Sequence, residues 1–109
     1  MNKYGNRKIT VDGLTFDSIR EAERWQELRL LERAGEIKGL SRQVKFALIP
    51  ASKTREGKTI QGVSYIADFV YLDKEGRQVV EDAKGFRTDV YKLKKKVMLW
   101  LYGIEIQEV

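Results

Sequence analysis

The spacing of apolar and polar residues changes along the chain, and each change predicts a different element. Residues 9–16 form two short apolar segments around Asp12-Gly13, which is the strongest two-residue hairpin signal. Residues 18–34 are rich in helix formers, and Gly35 supplies a stop signal. We therefore predict a hairpin followed by a helix.

The middle of the chain predicts three strands. Residues 43–49, 63–72 and 78–84 are rich in β-branched and aromatic residues. Between them, residues 51–62 are polar with two glycines and predict a mobile loop, whereas residues 73–77 predict a hairpin turn.

A second helix is predicted from a cap at Thr88 or Asp89 to Tyr102, and residues 104–109 leave room for a last strand. We expect an apolar stripe on this helix to face the core, and we expect the same of both tryptophans, Trp25 and Trp100. The stripe consists of Val90, Leu93, Val97, Trp100 and Leu101. The element order predicts an α/β fold, in which residues 1–109 form one domain with a central mixed sheet flanked by two helices.

Composition narrows the chemistry that the chain can perform. Its 109 residues include no cysteine and no histidine, which excludes thiolate nucleophiles, imidazole bases and the usual zinc ligands. A bound metal must have oxygen ligands, which favours Mg²⁺ or Mn²⁺. The net charge of +5 suits a polyanionic partner. No apolar run is long enough to span a membrane, and no signal-peptide core is present near the start, so we expect a cytoplasmic protein.

Ionisable residues stand where a core would prefer apolar ones. Asp68 lies in the middle of a strongly apolar strand, where an unpaired charge is costly. Asp82 and Lys84 share one face of the next strand, because side chains alternate along a strand. Two neighbouring carboxylates repel each other unless a cation compensates them, so Asp68 and Asp82 predict a metal site. Glu21 shares a helix face with Trp25 and could complete that site.

Each of these residues also has an alternative interpretation. Ser18-x-x-Glu21 is a capping-box pattern, in which Glu21 would bond back to the Ser18 amide. Asp68 could be a core acid paired with Lys84 alone. Glu81 points away from Asp82, so we predict a solvent-facing residue or a secondary ligand.

The acid-x-lysine pattern occurs three times, at residues 36–38, 56–58 and 82–84, but only the last ends a strand that follows one bearing a lone acid. Segments 18–22, 65–69 and 80–85 together resemble the PD-(D/E)XK nucleases, which have the restriction-endonuclease-like fold. They are most similar to a small uncharacterised phage family, and also to Holliday-junction resolvases and transposon-end endonucleases. The resemblance covers essentially the whole chain.

The resemblance implies a role for each matching residue. Glu21 would be the helix-borne acid, Asp68 and Asp82 the metal ligands, and Lys84 the catalytic lysine. The chain departs from the motif at Ala67, where the name-giving proline would stand. A phage origin and a role in recombination or replication are implied in the same way.

We therefore expect a Mg²⁺- or Mn²⁺-dependent endodeoxyribonuclease, with junctions or branched DNA as candidate substrates. The alternative is an inactive DNA-binding module of the same fold. The second helix supplies the candidate DNA contacts, although a run of lysines is also typical of a solvated face. These candidates are Tyr91, Lys92, Lys94, Lys95 and Lys96. Residues 53–58 could form a DNA-contacting flap or only a mobile connection. Since one active site cuts one strand, we also expect a homodimer.

Overall fold

The computed structural model of the chain describes residues 8–83 and 87–109. It begins with an antiparallel hairpin of β1 (Ile9–Val11) and β2 (Leu14–Phe16). Asp12 and Gly13 form its turn with positive φ angles of 52° and 78°, which is the conformation that a tight hairpin requires. Helix α1 (Ile19–Arg33) follows, and the Ser18 hydroxyl caps it by accepting a hydrogen bond from the Glu21 amide. The predicted hairpin and first helix are confirmed.

A four-stranded mixed sheet forms the centre of the molecule. The remaining elements in chain order are β3 (Lys38–Ile49), β4 (Ser52–Lys53), β5 (Thr59–Ile60), β6 (Val63–Leu72), β7 (Gln78–Asp82), α2 (Asp89–Tyr102) and β8 (Gln107–Glu108). The sheet has the order β3-β6-β7-β8, with antiparallel pairs except for the parallel pair of β7 and β8. This arrangement confirms the predicted α/β fold with a central mixed sheet and two helices.

Two clusters of buried side chains lie around the sheet. One joins Trp25 and Leu28 of α1 to Phe69 of β6, and the other joins Met98 of α2 to Val80 of β7. Burial on both faces explains why β6 is apolar almost throughout rather than alternating. In the part of the chain that the structure describes, no helix is long and apolar enough to cross a membrane.

Three predicted boundaries are corrected. Strand β3 begins at Lys38 rather than at residue 43; Gly39, at φ 64°, lies within a register shift between Lys38 and Ser41, and this irregularity hides the start of the strand. Residues 51–62 are not a featureless loop, because β4 and β5 pair within them. Strand β7 ends at Asp82, and the prediction for Lys84 falls outside the described residues.

The prediction that the α2 stripe faces the core is wrong except at Val97, which packs against the cluster around Met98. Trp100 is 83% exposed, and Val90 and Leu93 are each 62% exposed. Tyr91 and Met98 are the buried residues of this helix. Helical spacing shows which residues share a face, but it does not show which of two apolar faces the sheet covers.

Candidate active site

Glu21 lies in the first turn of α1, where it is 3% exposed and turned towards β3. Its Oε1 lies 3.5 Å from Arg42 Nη2 and 3.4 Å from Gln43 Nε2. The Ser18 hydroxyl therefore accepts a hydrogen bond from the Glu21 amide, as in one half of a capping box, while the Glu21 carboxylate contacts β3.

Asp68 is the second buried acid, and it links β6 to the end of β7. Its Oδ2 accepts a hydrogen bond of 2.7 Å from the Ala83 amide, and its Oδ1 lies 3.5 Å from Gln43 Nε2. Burial, together with the nearby charges of Asp68 and Asp17, raises the pKa of Glu21 to about 7, although Arg42 opposes the shift. The folded chain therefore disfavours the charged form of Glu21.

Asp82 is fully buried at the end of β7, one residue before the amide that Asp68 binds. Its Oδ2 accepts a hydrogen bond of 2.9 Å from the Tyr65 hydroxyl. Burial and the charge of Asp82 together raise the pKa of Tyr65, so this hydroxyl remains a proton donor. The structure thus brings Glu21 and Asp68 together and directs one oxygen of Asp82 towards Tyr65. Within residues 8–83 and 87–109, no group of three or more His, Cys, Asp or Glu side chains is arranged to hold a metal ion.

Gln43 is the site residue that the sequence analysis missed. It has a φ of 55°, the left-handed region, in the middle of a strand. Successive side chains of a regular strand point to opposite faces, yet Arg42 and Gln43 both reach Oε1 of Glu21. The unusual backbone at Gln43 therefore brings two successive side chains to one carboxylate. No residue pattern marks Gln43 itself; the irregularity next to it is polar Arg42, which stands in line with the apolar positions Val44 and Phe46.

The prediction that Glu81 faces solvent is wrong. Its side chain is 2% exposed, and its carboxylate accepts two hydrogen bonds from the Arg24 guanidinium, from Nε at 2.8 Å and from Nη2 at 2.7 Å. The Tyr71 hydroxyl donates to the same carboxylate. These contacts raise the pKa of Arg24, chiefly through its hydrogen bond to Glu81. The charge of Glu81 is therefore paired with that of Arg24 from α1, on the opposite face of β7 from Asp82.

The candidate DNA-binding residues of α2 lie on different sides of the helix. Lys92, Lys95 and Lys96 line a cleft of about 480 Å³, which they share with Arg87, Leu99, Glu105 and Glu108. Lys94 instead lies in a shallow depression beside Ile66 and Val90.

Tyr91 is buried, and its hydroxyl donates a 2.8 Å hydrogen bond to Glu108. That bond, with further contacts from Lys95 and Arg87, lowers the pKa of Glu108 to about 2. The cleft is therefore basic but already contains one anchored carboxylate.

A family model described as a protein of unknown function, DUF1064, matches residues 1–106. The chain belongs to the DUF1064 family. No curated protein matches this DUF1064 chain, and no solved structure does. Membership in a family of unknown function implies no activity, so the side chains of the DUF1064 site are the basis for its chemistry.

Proposed function

We propose that this DUF1064 protein is a Mg²⁺- or Mn²⁺-dependent endonuclease that hydrolyses DNA phosphodiester bonds. The observation that carries the proposal is the convergence of two buried carboxylates from separate elements on one point. Oxygens of Glu21 and Asp68 both lie within 3.5 Å of the same Gln43 nitrogen. The third acid, Asp82, is adjacent to the amide that Asp68 binds.

The chemistry of these residues fits a hard divalent cation. Carboxylate oxygens are the preferred ligands of Mg²⁺, which is commonly held by one or two protein carboxylates and keeps several waters. Glu21 and Asp68 would supply such a pair, and Asp82 would join them through its carboxylate. A cation would also favour the charged form of Glu21, whose pKa is raised to about 7 by burial and by the charges of Asp68 and Asp17. This fit does not require a cage of three protein acids.

The bound cation would supply an activated water and would stabilise the charge that develops on the phosphate. The chain's own residues would do the rest. The Tyr65 hydroxyl holds Asp82 in one orientation. Lys84, two residues further on, is proposed to orient the attacking water or to stabilise the transition state. The lysines of the basic cleft are proposed to hold the DNA backbone.

DNA is the proposed partner because the chain carries a net charge of +5 and presents this basic cleft. We infer that two protomers act together, since one active site cuts one strand. We propose that the protein acts in the cytoplasm. If a phage encodes it, this is the cytoplasm of the bacterial host.

A cleavage panel tests the activity. Duplex, single-stranded, flap and four-way-junction DNA would be incubated with Mg²⁺ or Mn²⁺, and product would be quantified for the wild type and for Lys84→Ala. The matched control is Lys38→Ala, because residues 36–38 have the same acid-x-lysine pattern at an exposed position. We expect metal-dependent product that Lys84→Ala loses and Lys38→Ala keeps. A wild type that cuts none of these DNAs would refute the proposal.

A second candidate is a DNA-binding module of the same fold without catalysis. It is favoured by the finding that the described residues contain no group of three acids arranged for a metal. This candidate predicts DNA affinity that falls steeply with salt and no product with either cation. Measuring binding and cleavage on the same DNA separates the two functions.

A further inference from the structure

One side of α2 is apolar and exposed. We call the stripe formed by Val90, Leu93, Val97 and Trp100 the α2 seam; three of these residues are exposed, and Val97 is half-buried against the cluster around Met98. Trp100 is 83% exposed, and Val90 and Leu93 are each 62% exposed. A domain rarely leaves a tryptophan and two neighbouring aliphatic residues in water without a partner for them.

The spacing of the α2 seam identifies the kind of partner. Its residues follow one another at intervals of three, four and three, which is the heptad spacing of positions a, d, a and d. Val occupies both a positions, and Leu occupies the first d position. β-branched residues at a with leucine at d favour two-stranded pairing. The surface that fits this seam is therefore another helix with the same spacing.

The charges that flank the seam fit a second copy. Asp89 precedes the first a position and is therefore a g residue, while Lys94 is the e residue of the following heptad. In a parallel pair of helices, a g residue of one helix faces the e residue of the next heptad in its partner. Two symmetry-related contacts between Asp89 and Lys94 would then flank the seam. An antiparallel pair would lack this complementarity.

A residue beside the seam enlarges the apolar area. Ile66 of β6 is 49% exposed and lines the same depression as Val90. A fully covered aromatic side chain buries roughly 150–250 Å², so Trp100 alone would contribute about 200 Å². With the aliphatic residues, the patch offers on the order of 500 Å² of apolar surface. A homodimer interface of standard size needs a similar apolar area from each protomer, about 65% of about 800 Å².

The basic cleft lies on a different side of the same helix. Lys92 and Lys95 line that cleft away from the seam, whereas Lys96, which also lines the cleft, precedes Val97 and borders the seam as a g residue. The seam itself carries no cation that would bind a phosphate, so it is a poor DNA surface. Pairing through the seam would leave Lys92 and Lys95 of each cleft accessible.

We propose that the protein forms a twofold dimer by packing the α2 seams of two copies against each other in parallel. This assignment names the surface for the pair of protomers inferred above. It rests on the exposure and heptad spacing of α2, so a dimer that cuts no DNA would leave it standing.

Analytical ultracentrifugation over a concentration series tests the assignment. The wild type should have twice the chain mass of 12.7 kDa. Leu93→Asp and Trp100→Asp should raise the dissociation constant at least about thirtyfold, as expected for the loss of one hot-spot residue. Leu30→Asp is the matched control, because Leu30 of α1 is 63% exposed and outside the seam. It should leave the dimer intact.

Circular dichroism should show all three variants folded, because the substituted residues are exposed within the protomer. Exchanging the flanking charges in Asp89→Lys with Lys94→Asp should restore a dimer that each single change weakens. A monomeric wild type at every concentration would overturn the proposal. So would a Leu93→Asp variant that dimerises as tightly as Leu30→Asp.

Discussion

Replacing Gln43 with glycine should stabilise the fold and impair the site. A non-glycine residue held at a positive φ costs about 1–3 kcal/mol, and Gln43 has a φ of 55° inside β3. Glycine removes that cost but adds about 0.5–1 kcal/mol of backbone entropy. The lost side-chain contacts to Glu21 and Asp68 are long, at 3.4 and 3.5 Å, and therefore weak. We expect a net gain of about 1 kcal/mol, or a rise of about 4 °C in Tm.

The site should respond in the opposite direction. Without the side-chain amide of Gln43, the carboxylates of Glu21 and Asp68 lose the neighbour that they share. We therefore expect the affinity for Mn²⁺, measured by calorimetry without DNA, to fall about tenfold. Asp12→Gly is the matched control, because Asp12 has a φ of 52° in the β1–β2 turn. It should leave Mn²⁺ affinity unchanged. A Gln43→Gly protein with a lower Tm and unchanged Mn²⁺ affinity would refute the reasoning.

Three further predictions concern stability, pH and DNA affinity. Glu81→Ala should lower the free energy of unfolding by about 1–3 kcal/mol in urea titrations, because it leaves the buried Tyr71 hydroxyl and the partly buried Arg24 guanidinium without their acceptor. Glu27→Ala should change it little. Because the pKa of Glu21 rises from 4.5 to about 7 on folding, its stabilising contribution is complete below 4.5 and is lost as the pH rises through 7. Glu21→Gln should remove this decline in stability; an unchanged pH profile would contradict it. Lys96→Ala should reduce the salt slope of DNA binding by about 1, and equal slopes for Lys96→Ala and Lys74→Ala would count against the basic cleft.

Sequence patterns predicted most elements because local signals and long-range packing agree there. Asp12-Gly13 favours the turn that the hairpin needs, and Ser18 caps the helix that follows. The start of β3 was missed because a glycine at φ 64° interrupts the alternation. Pairing within residues 51–62 was missed because β4 and β5 have only two residues each, all of them exposed, so they leave no apolar pattern.

The errors at Glu81 and Trp100 have a common cause. Alternation and helical spacing assign residues to faces, but they do not reveal what covers each face. Both faces of β7 are buried, so Glu81 needed a partner, Arg24, that is 57 positions away. Helix α2 has two apolar faces, and the sheet covers the one that contains Met98.

For the candidate site, the sequence predicted which acids are buried but not how they are arranged. Asp68 and Asp82 stand out as charges inside apolar strands, and Glu21 as an acid on an apolar helix face. The contact between Glu21 and Gln43 depends on a left-handed backbone that glutamine rarely adopts, so no residue pattern predicts it.

The most direct test of the proposed activity compares two conservative changes in one cleavage assay. Asp82→Asn alters the buried acid at the end of β7, whereas Glu36→Gln alters an exposed acid that pairs with Lys74 and belongs to another acid-x-lysine pattern. With Mn²⁺ and a DNA that the wild type cuts, we predict that Asp82→Asn is slower by at least about 100-fold and that Glu36→Gln keeps the wild-type rate. Equal cleavage rates for the wild type and Asp82→Asn would contradict the proposed site.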